Sequence, residues 1–222
     1  MLHDAPGGLV GSFGRSTTPS EGFVLAVVSE DRQRWNQRYR EAVSDPSPRA
    51  VLVDAAELLP PPGRALDLAC GRGAEAVWLA ARGWLVDAVD IADVALDQVL
   101  RLADAAGVRS RLRVIQADLD EGLPESCVGP YDLLVMGHFR SVLLETAIEQ
   151  LLRPAAVVVT SRLSMVGRVR SSASEVGSSG GYLAVPDELA DLAQRLGLNV
   201  LYWQQGEGET ALVARTAASP HR

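Results

Sequence analysis

A glycine bend with an acid just ahead of it is the first place in this chain where chemistry could be done. The stretch Ala65-Leu66-Asp67-Leu68-Ala69-Cys70-Gly71-Arg72-Gly73 runs from a strand pattern into a helix pattern. Glycines at such a bend let a ligand approach the backbone closely. A pyrophosphate would be repelled by Asp67, whereas a positively charged group would be attracted. Two further acids stand at comparable places. Asp90 closes the next strand pattern, where a carboxylate accepts hydrogen bonds from ribose hydroxyls. Asp118-Leu119 follow the third, placed to accept from an adenine amino group. The set suits a cationic, phosphate-free nucleoside at the carboxyl edge of a parallel sheet.

A fourth strand pattern ends in Met136-Gly137-His138-Phe139-Arg140. His138 has two readings: a general base at neutral pH, or a histidine that only packs or hydrogen-bonds at a pocket edge. Arg140 either anchors an anionic ligand or pairs with an acid on the next helix. The other histidines stand at positions 3 and 221, and the carboxylates are scattered, so no metal-ligand set is expected.

The elements that would position these groups alternate. Strands are expected at Arg64–Leu68, Trp84–Val89, Leu112–Gln116, Tyr131–Met136 and Ala156–Thr160. Helices are expected at Ala74–Arg82, Val94–Ala106 and Val142–Leu152. Such alternation implies βαβ units and a parallel sheet. Arg162–Gly181 is rich in Ser, Gly and Arg and reads as a long loop, a candidate lid. A helix at Pro186–Leu196 follows, then strands at Asn199–Trp203 and Thr210–Arg215 joined as an antiparallel hairpin.

Ahead of the alternating region, residues 1–28 read as a flexible tail and 29–218 as one domain, of which 29–59 form N-terminal lid helices. The first helix is expected to begin near Ser29, with Ser-Glu-Asp as cap and first turn. A second covers Ala50–Leu59. Trp35 and Tyr39 stand four apart and share a face. They either close over a ligand or dock the helix on the core. Trp78, Trp84 and Trp203 read as core or edge packing, and Cys70 as a small residue suited to a tight turn.

The 222 residues carry 47 % apolar and 5 % aromatic side chains, so the core must be built mostly of Ala, Val and Leu. Every basic side chain is arginine. The net charge of −7 disfavours nucleic acid as a partner. The longest early apolar run, Phe23 to Val28, is too short for a membrane span. Two cysteines are too few for a disulfide framework, which fits the cytoplasm.

Leu66-Asp67-Leu68-Ala69-Cys70-Gly71-Arg72-Gly73, Val89-Asp90-Ile91, Ala117-Asp118-Leu119 and Tyr131-Asp132-Leu133-Leu134 resemble the ordered motifs of class I S-adenosylmethionine-dependent methyltransferases. The likeness covers roughly residues 30–216. Trp35-x-x-x-Tyr39 is similar to the tellurite-resistance and thiopurine methyltransferase-like group. The resemblance implies a Rossmann-like α/β fold: a seven-stranded, mostly parallel sheet with a C-terminal antiparallel hairpin and helices on both faces. It implies S-adenosylmethionine as cofactor, S-adenosylhomocysteine as product and a small-molecule O-, S- or N-acceptor, in a monomer or homodimer. It implies cofactor contacts from Trp35, Tyr39, Asp67, Leu68, Ala69, Cys70, Gly71, Gly73, Asp90, Ile91, Asp118, Leu119, Met136 and Gly137, with His138 beside the acceptor. Ala69 departs from the group, standing where it often has the first glycine of its turn. So does Ala155-Ala156, where it usually has two glycines. The Asn/Asp-Pro-Pro-aromatic motif for methylating exocyclic amines is missing after the fourth strand.

Two rival readings stand beside this one. Gly71-x-Gly73-x-x-Ala76 also matches a nicotinamide fingerprint, with Asp90 17 residues beyond Gly73. Asp67 and the terminal hairpin argue against it. A methyltransferase fold kept as a non-catalytic binding module is the other.

Overall fold

The computed structural model describes residues 20–43, 46–141, 150–164 and 183–218, with side chains from residue 30 onward. The chain opens with α1 (Ser20–Glu41) and the short α2 (Ala50–Asp54). Strand β1 (Arg64–Leu68), helix α3 (Ala74–Ala81), β2 (Leu85–Asp90), α4 (Asp93–Ala105) and β3 (Leu112–Gln116) follow. Then come β4 (Tyr131–Gly137), β5 (Leu152–Ser164), the two-residue β6 (Leu183–Ala184), α5 (Glu188–Arg195), β7 (Asn199–Gln205) and β8 (Glu209–Arg215).

The main sheet runs β3-β2-β1-β4-β5-β8-β7, with β6 paired to β5 off this path. The first five strands are parallel, and β8 joins β5 antiparallel. From β1 the chain winds outward to β2 and β3, then returns to lay β4 on the other side of β1. That reversal leaves a crevice at the carboxyl ends of β1, β2 and β4. The seven-stranded, mostly parallel sheet with its terminal hairpin is the architecture the sequence implies.

The central strands form because both faces are covered. From Ala65 to Leu68 every residue of β1 is buried, and β4 is buried at six of its seven positions. One face packs Trp84, Leu79, Val99, Leu133 and Val157. The other packs Leu66, Leu68, Leu134, Met136 and Tyr131. Near-continuous apolar runs are what a doubly covered parallel sheet demands. Trp84 lies in the core, Trp78 is partly buried with Arg82 over its ring, and Trp203 is half exposed on edge strand β7.

Most strand bounds agree with the sequence reading within one or two residues. Three elements differ. Helix α1 begins at Ser20, not near Ser29; Ser29, Glu30 and Asp31 sit inside a helix that starts just after Pro19. The expected second helix breaks after Asp54 into a single 3-10 turn, Ala56–Leu58. Strand β5 starts at Leu152, and Arg162 to Ser164 extend it instead of opening a loop. The rest of that loop, residues 165–182, and residues 142–149 of the expected helix lie outside the described residues.

The early start of β5 is made possible by a bulge. Tyr131 pairs with Leu152 while Leu133 pairs with Val157, so the register shifts between them. Ala155 absorbs the shift at φ 63°, in the left-handed region where glycine is favoured.

One buried charge fixes the middle of the sheet. Asp87 of β2 accepts two hydrogen bonds from Arg113 of β3, at 2.8 Å each, and one from Tyr131 of β4 at 2.7 Å. Burial works against its ionisation, but the hydrogen bonds from Arg113 and Tyr131 hold its carboxyl below the usual carboxylate range.

Because the folded pKa is depressed, Asp87 stabilises the fold above the unfolded carboxylate range. That contribution disappears as pH falls through the folded pKa. Asp87→Ala should cost about 2–4 kcal/mol in urea unfolding at neutral pH, since it leaves the Tyr131 hydroxyl buried without its acceptor. The difference from wild type should shrink in acid. Ala155→Gly should instead raise stability by about 0.5–1 kcal/mol, read from the same midpoints.

Candidate functional site

The crevice at the carboxyl edge opens into a cavity of about 720 Å³. Trp35, Tyr39, Ala69, Cys70, Gly71, Gly73, Asp90, Ile91, Asp118, Leu119, Gly137 and His138 all line it. Three residues expected there do not. Leu68 and Met136 are register partners on neighbouring strands, and both are sealed in the core beneath the cavity floor. Asp67 is 2 % exposed and stays below the lining. The cause is strand alternation: side chains inside β1 and β4 point to the two packed faces, and only the turns beyond them open to the crevice.

The β1 and β2 turns are tied together by Asp90. Its Oδ2 accepts the Gly71 N–H at 2.8 Å, and its Oδ1 accepts the Ala92 N–H at 2.9 Å. Burial pushes the Asp90 carboxyl up, against the pull of the Ala92 and Gly71 amides. A carboxylate has about four acceptor sites, so Asp90 can still take ligand hydroxyls. Gly71 has φ 51°, and a Cβ there would stand 3.0 Å from the Tyr39 hydroxyl. Gly73 has φ 80°, and a Cβ would come within 2.6 Å of Val99 Cγ2 on α4. Ala69 adopts φ 52°, so the alanine found in place of a glycine keeps the left-handed backbone and carries its strain.

Helix α1 covers the cavity mouth and is latched to α4. Asn36 Nδ2 donates to Asp93 Oδ1 at 2.6 Å, and Asn36 Oδ1 accepts the Val94 N–H at 3.1 Å. Gln98 donates to the Tyr39 carbonyl at 3.0 Å. The Trp35 and Tyr39 rings stack with centroids 5.7 Å apart. The helix docks on α4, and its two aromatics line the cavity. Burial, then the charge of Asp90, pushes the Tyr39 hydroxyl well up, so it remains a hydrogen-bond donor at neutral pH.

Arg49 and Glu75 are the residues that sequence reasoning missed. The Arg49 guanidinium donates to Glu75 Oε1 at 2.6 Å, and its backbone N–H donates to the same oxygen at 3.1 Å. It lies flat against Gly137, where any Cβ would overlap it. Its Nε is buried with no hydrogen-bond partner among the described residues, as is Asp67 Oδ2. Both Arg49 and Glu75 line the cavity. Desolvation, then the charge of Glu75, pushes the Asp67 carboxyl well above its ordinary range, while Arg49 opposes the rise. A signal for Glu75 was present: it is the one charge in Ala74–Ala81, a helix otherwise apolar. Arg49 carries no comparable signal.

On the far side, His138 Nε2 meets Glu209 Oε1 at 3.0 Å. Arg140 Nε lies 3.5 Å from Glu188 Oε1 of α5, an acid on a later helix than the one expected next to it in sequence. Glu188 also binds the buried Arg162. Among the described residues no group of three His, Cys, Asp or Glu could hold a metal ion. No helix among them is long and apolar enough to cross a membrane.

Comparisons with known proteins agree with this geometry. Residues 65–161 match the profile of a methyltransferase domain family. A 73-residue stretch is 44 % identical to a release factor glutamine methyltransferase of Chlorobaculum tepidum, covering 32 % of this chain and about a quarter (25 %) of that protein. The solved structure of TehB from Haemophilus influenzae superposes with a TM-score of 0.62 at 13 % identity, over 83 % of this chain and 66 % of that one. A TehB-like protein of Corynebacterium glutamicum gives 0.56 at 20 % identity, over 86 % and 99 %. A 1,6-didemethyltoxoflavin-N1-methyltransferase of Burkholderia thailandensis, solved with S-adenosylhomocysteine, gives 0.61 at 19 %, over 92 % and 93 %.

Gly73→Ala should destabilise the protein by about 2–3 kcal/mol in chemical unfolding, because both the left-handed backbone and the Val99 side chain resist a Cβ.

Proposed function

We propose that this chain, which has the fold of the class I S-adenosylmethionine-dependent methyltransferases and resembles TehB within them, is itself such an enzyme and methylates a small-molecule O-, S- or N-acceptor. The observation that carries this reading is the convergence of the Gly71–Gly73 bend, Asp90 and Asp118 on one cavity, roofed by the Trp35–Tyr39 helix. Its volume of about 720 Å³ is in the range of small-ligand sites.

The donor's chemistry fits the residues present. Asp90 would take the ribose hydroxyls, and Asp118 with Leu119 would flank the adenine. Arg49, with Nε unspent, would hold the amino-acid carboxylate. Glu75 and Asp90, acids on the cavity wall, suit the ammonium and sulfonium of the donor and would repel a pyrophosphate, which disfavours a dinucleotide. When bound, the sulfonium supplies an activated methyl group and an excellent leaving group. The chain's own residues then have to align the acceptor and exclude water, effects that reach about 10⁵–10⁸ M in effective molarity. The two thiols, Cys70 and Cys127, are both free and buried, as suits the cytoplasmic location we expect.

Titration calorimetry with S-adenosylhomocysteine and with NAD tests the reading: S-adenosylhomocysteine should bind and NAD should not. Binding of NAD alone would overturn it. Product release over a panel of hydroxyl, thiol and amine acceptors then separates an enzyme from a non-catalytic module. Asp90→Ala should weaken S-adenosylhomocysteine about 10–100-fold, the worth of one or two hydrogen bonds to a charged group.

A further inference from the structure

His138 and Glu209 stand 71 residues apart in sequence and meet only because the terminal hairpin folds back onto the parallel sheet. Glu209 opens β8 and pairs in register with Leu163 of β5. His138 follows β4, its N–H donating to the Ser161 carbonyl at 2.8 Å. Its backbone sits at φ 54°, a conformation that costs a non-glycine residue about 1–3 kcal/mol and is characteristic of functional positions. His138 lines the cavity.

The 3.0 Å contact fixes the chemistry of the ring. An ionised carboxylate can only accept, so the neutral imidazole must carry its hydrogen on Nε2. That leaves Nδ1 with its lone pair, and Nδ1 has no hydrogen-bond partner among the described residues. The His138 hydrogen bond is the leading cause that holds the Glu209 carboxyl below its ordinary range, so Glu209 stays an anion at neutral pH. Glu209 and His138 are 39 % and 35 % exposed, within reach of a bound molecule without being dissolved in bulk water.

We propose that Glu209 is a positioning residue for His138, holding Nε2–H so that Nδ1 removes the proton of a hydroxyl-bearing acceptor. This rests on the methyltransferase reading above and narrows its acceptor class. The oxygen–carbon bond forms as the carbon–sulfur bond of the donor breaks. The hydroxyl proton passes to Nδ1, leaving an imidazolium beside Glu209 and a neutral thioether. A thiol is already partly ionised near neutral pH and gains little from such a base. A phenol, with a pKa near 10, gains most. Glu209 then does for His138 what a carboxylate does in any acid–histidine pair: it selects the tautomer, orients the ring and stabilises the imidazolium.

Two measurements on the full chain test this. Nitrogen-15 NMR of the ring gives the tautomer without any acceptor, the His138 signals being those lost in His138→Gln. Wild type should show Nε2–H. Glu209→Gln, whose amide can donate to Nε2, should raise the Nδ1–H form. A wild type dominated by Nδ1–H, or a tautomer ratio unmoved in both Glu209→Gln and Glu209→Ala, overturns the proposal. With a series of phenols, S-adenosylhomocysteine release should show kcat about 10²-fold lower in Glu209→Gln, with acceptor KM and S-adenosylhomocysteine affinity within about twofold of wild type. The loss should shrink at least about tenfold for a nitro-substituted phenol that is already ionised at the working pH. Equal losses on both phenols, or turnover confined to thiols, overturn it. Failure of wild type to bind S-adenosylhomocysteine would remove the methyltransferase reading itself, whereas binding with an Nδ1–H ring removes only the role of Glu209.

Discussion

The carboxylate of Asp90 holds the site together. It bridges the Gly71 amide of the first turn and the Ala92 amide of the second, so two loops that share no sequence become one rigid floor. The β1–β2 pairing sets the distance: Leu68 lies beside Val89, which brings Asp90 level with the bend. Without that bridge, two buried backbone donors would lose their acceptor, at a cost of about 1–3 kcal/mol each. The bend, the aromatic helix above it and the approach of any ligand all depend on this one group.

Around that floor the charges are arranged sparingly. Burial pushes the Asp67 and Asp90 carboxyls up, and Glu75 stands close enough to add to the rise at Asp67. Arg49 is the cation among them, and its field reaches as far as Glu209 and Tyr39. Gly137 is a glycine because the Arg49 guanidinium occupies the space of its Cβ. One arginine therefore acts on Asp67 and Tyr39 on one side and on Glu209 on the other.

The antiparallel hairpin has a part beyond closing the sheet. Strand β8 is fully buried at Ala211–Ala214 and packs α5 against the edge. Its first residue, Glu209, stands at the end of that core, partly exposed, and meets His138. A helix-rich crossover at the same place would cover the sheet without delivering a carboxylate to His138.

The sequence by itself determined what is local. The alternation of apolar runs set β1 to β4, α3 and α4 nearly to the residue, because a doubly covered parallel sheet writes its burial into consecutive residues. The acids at strand ends and the glycines at φ 51° and φ 80° were legible because such positions restrict residue type. Tertiary structure decided the rest. Leu68 and Met136 fell inside the core because strand alternation, invisible in a continuous apolar run, assigns faces only once the strands are paired. The true start of α1 was hidden because Ser-Glu-Asp reads as a cap and is also tolerated within a helix. Arg49 with Glu75, and His138 with Glu209, are partners 26 and 71 residues apart. No periodicity spans such distances; the meeting of those charges is a property of the folded sheet, where packing brings together groups that the chain keeps apart.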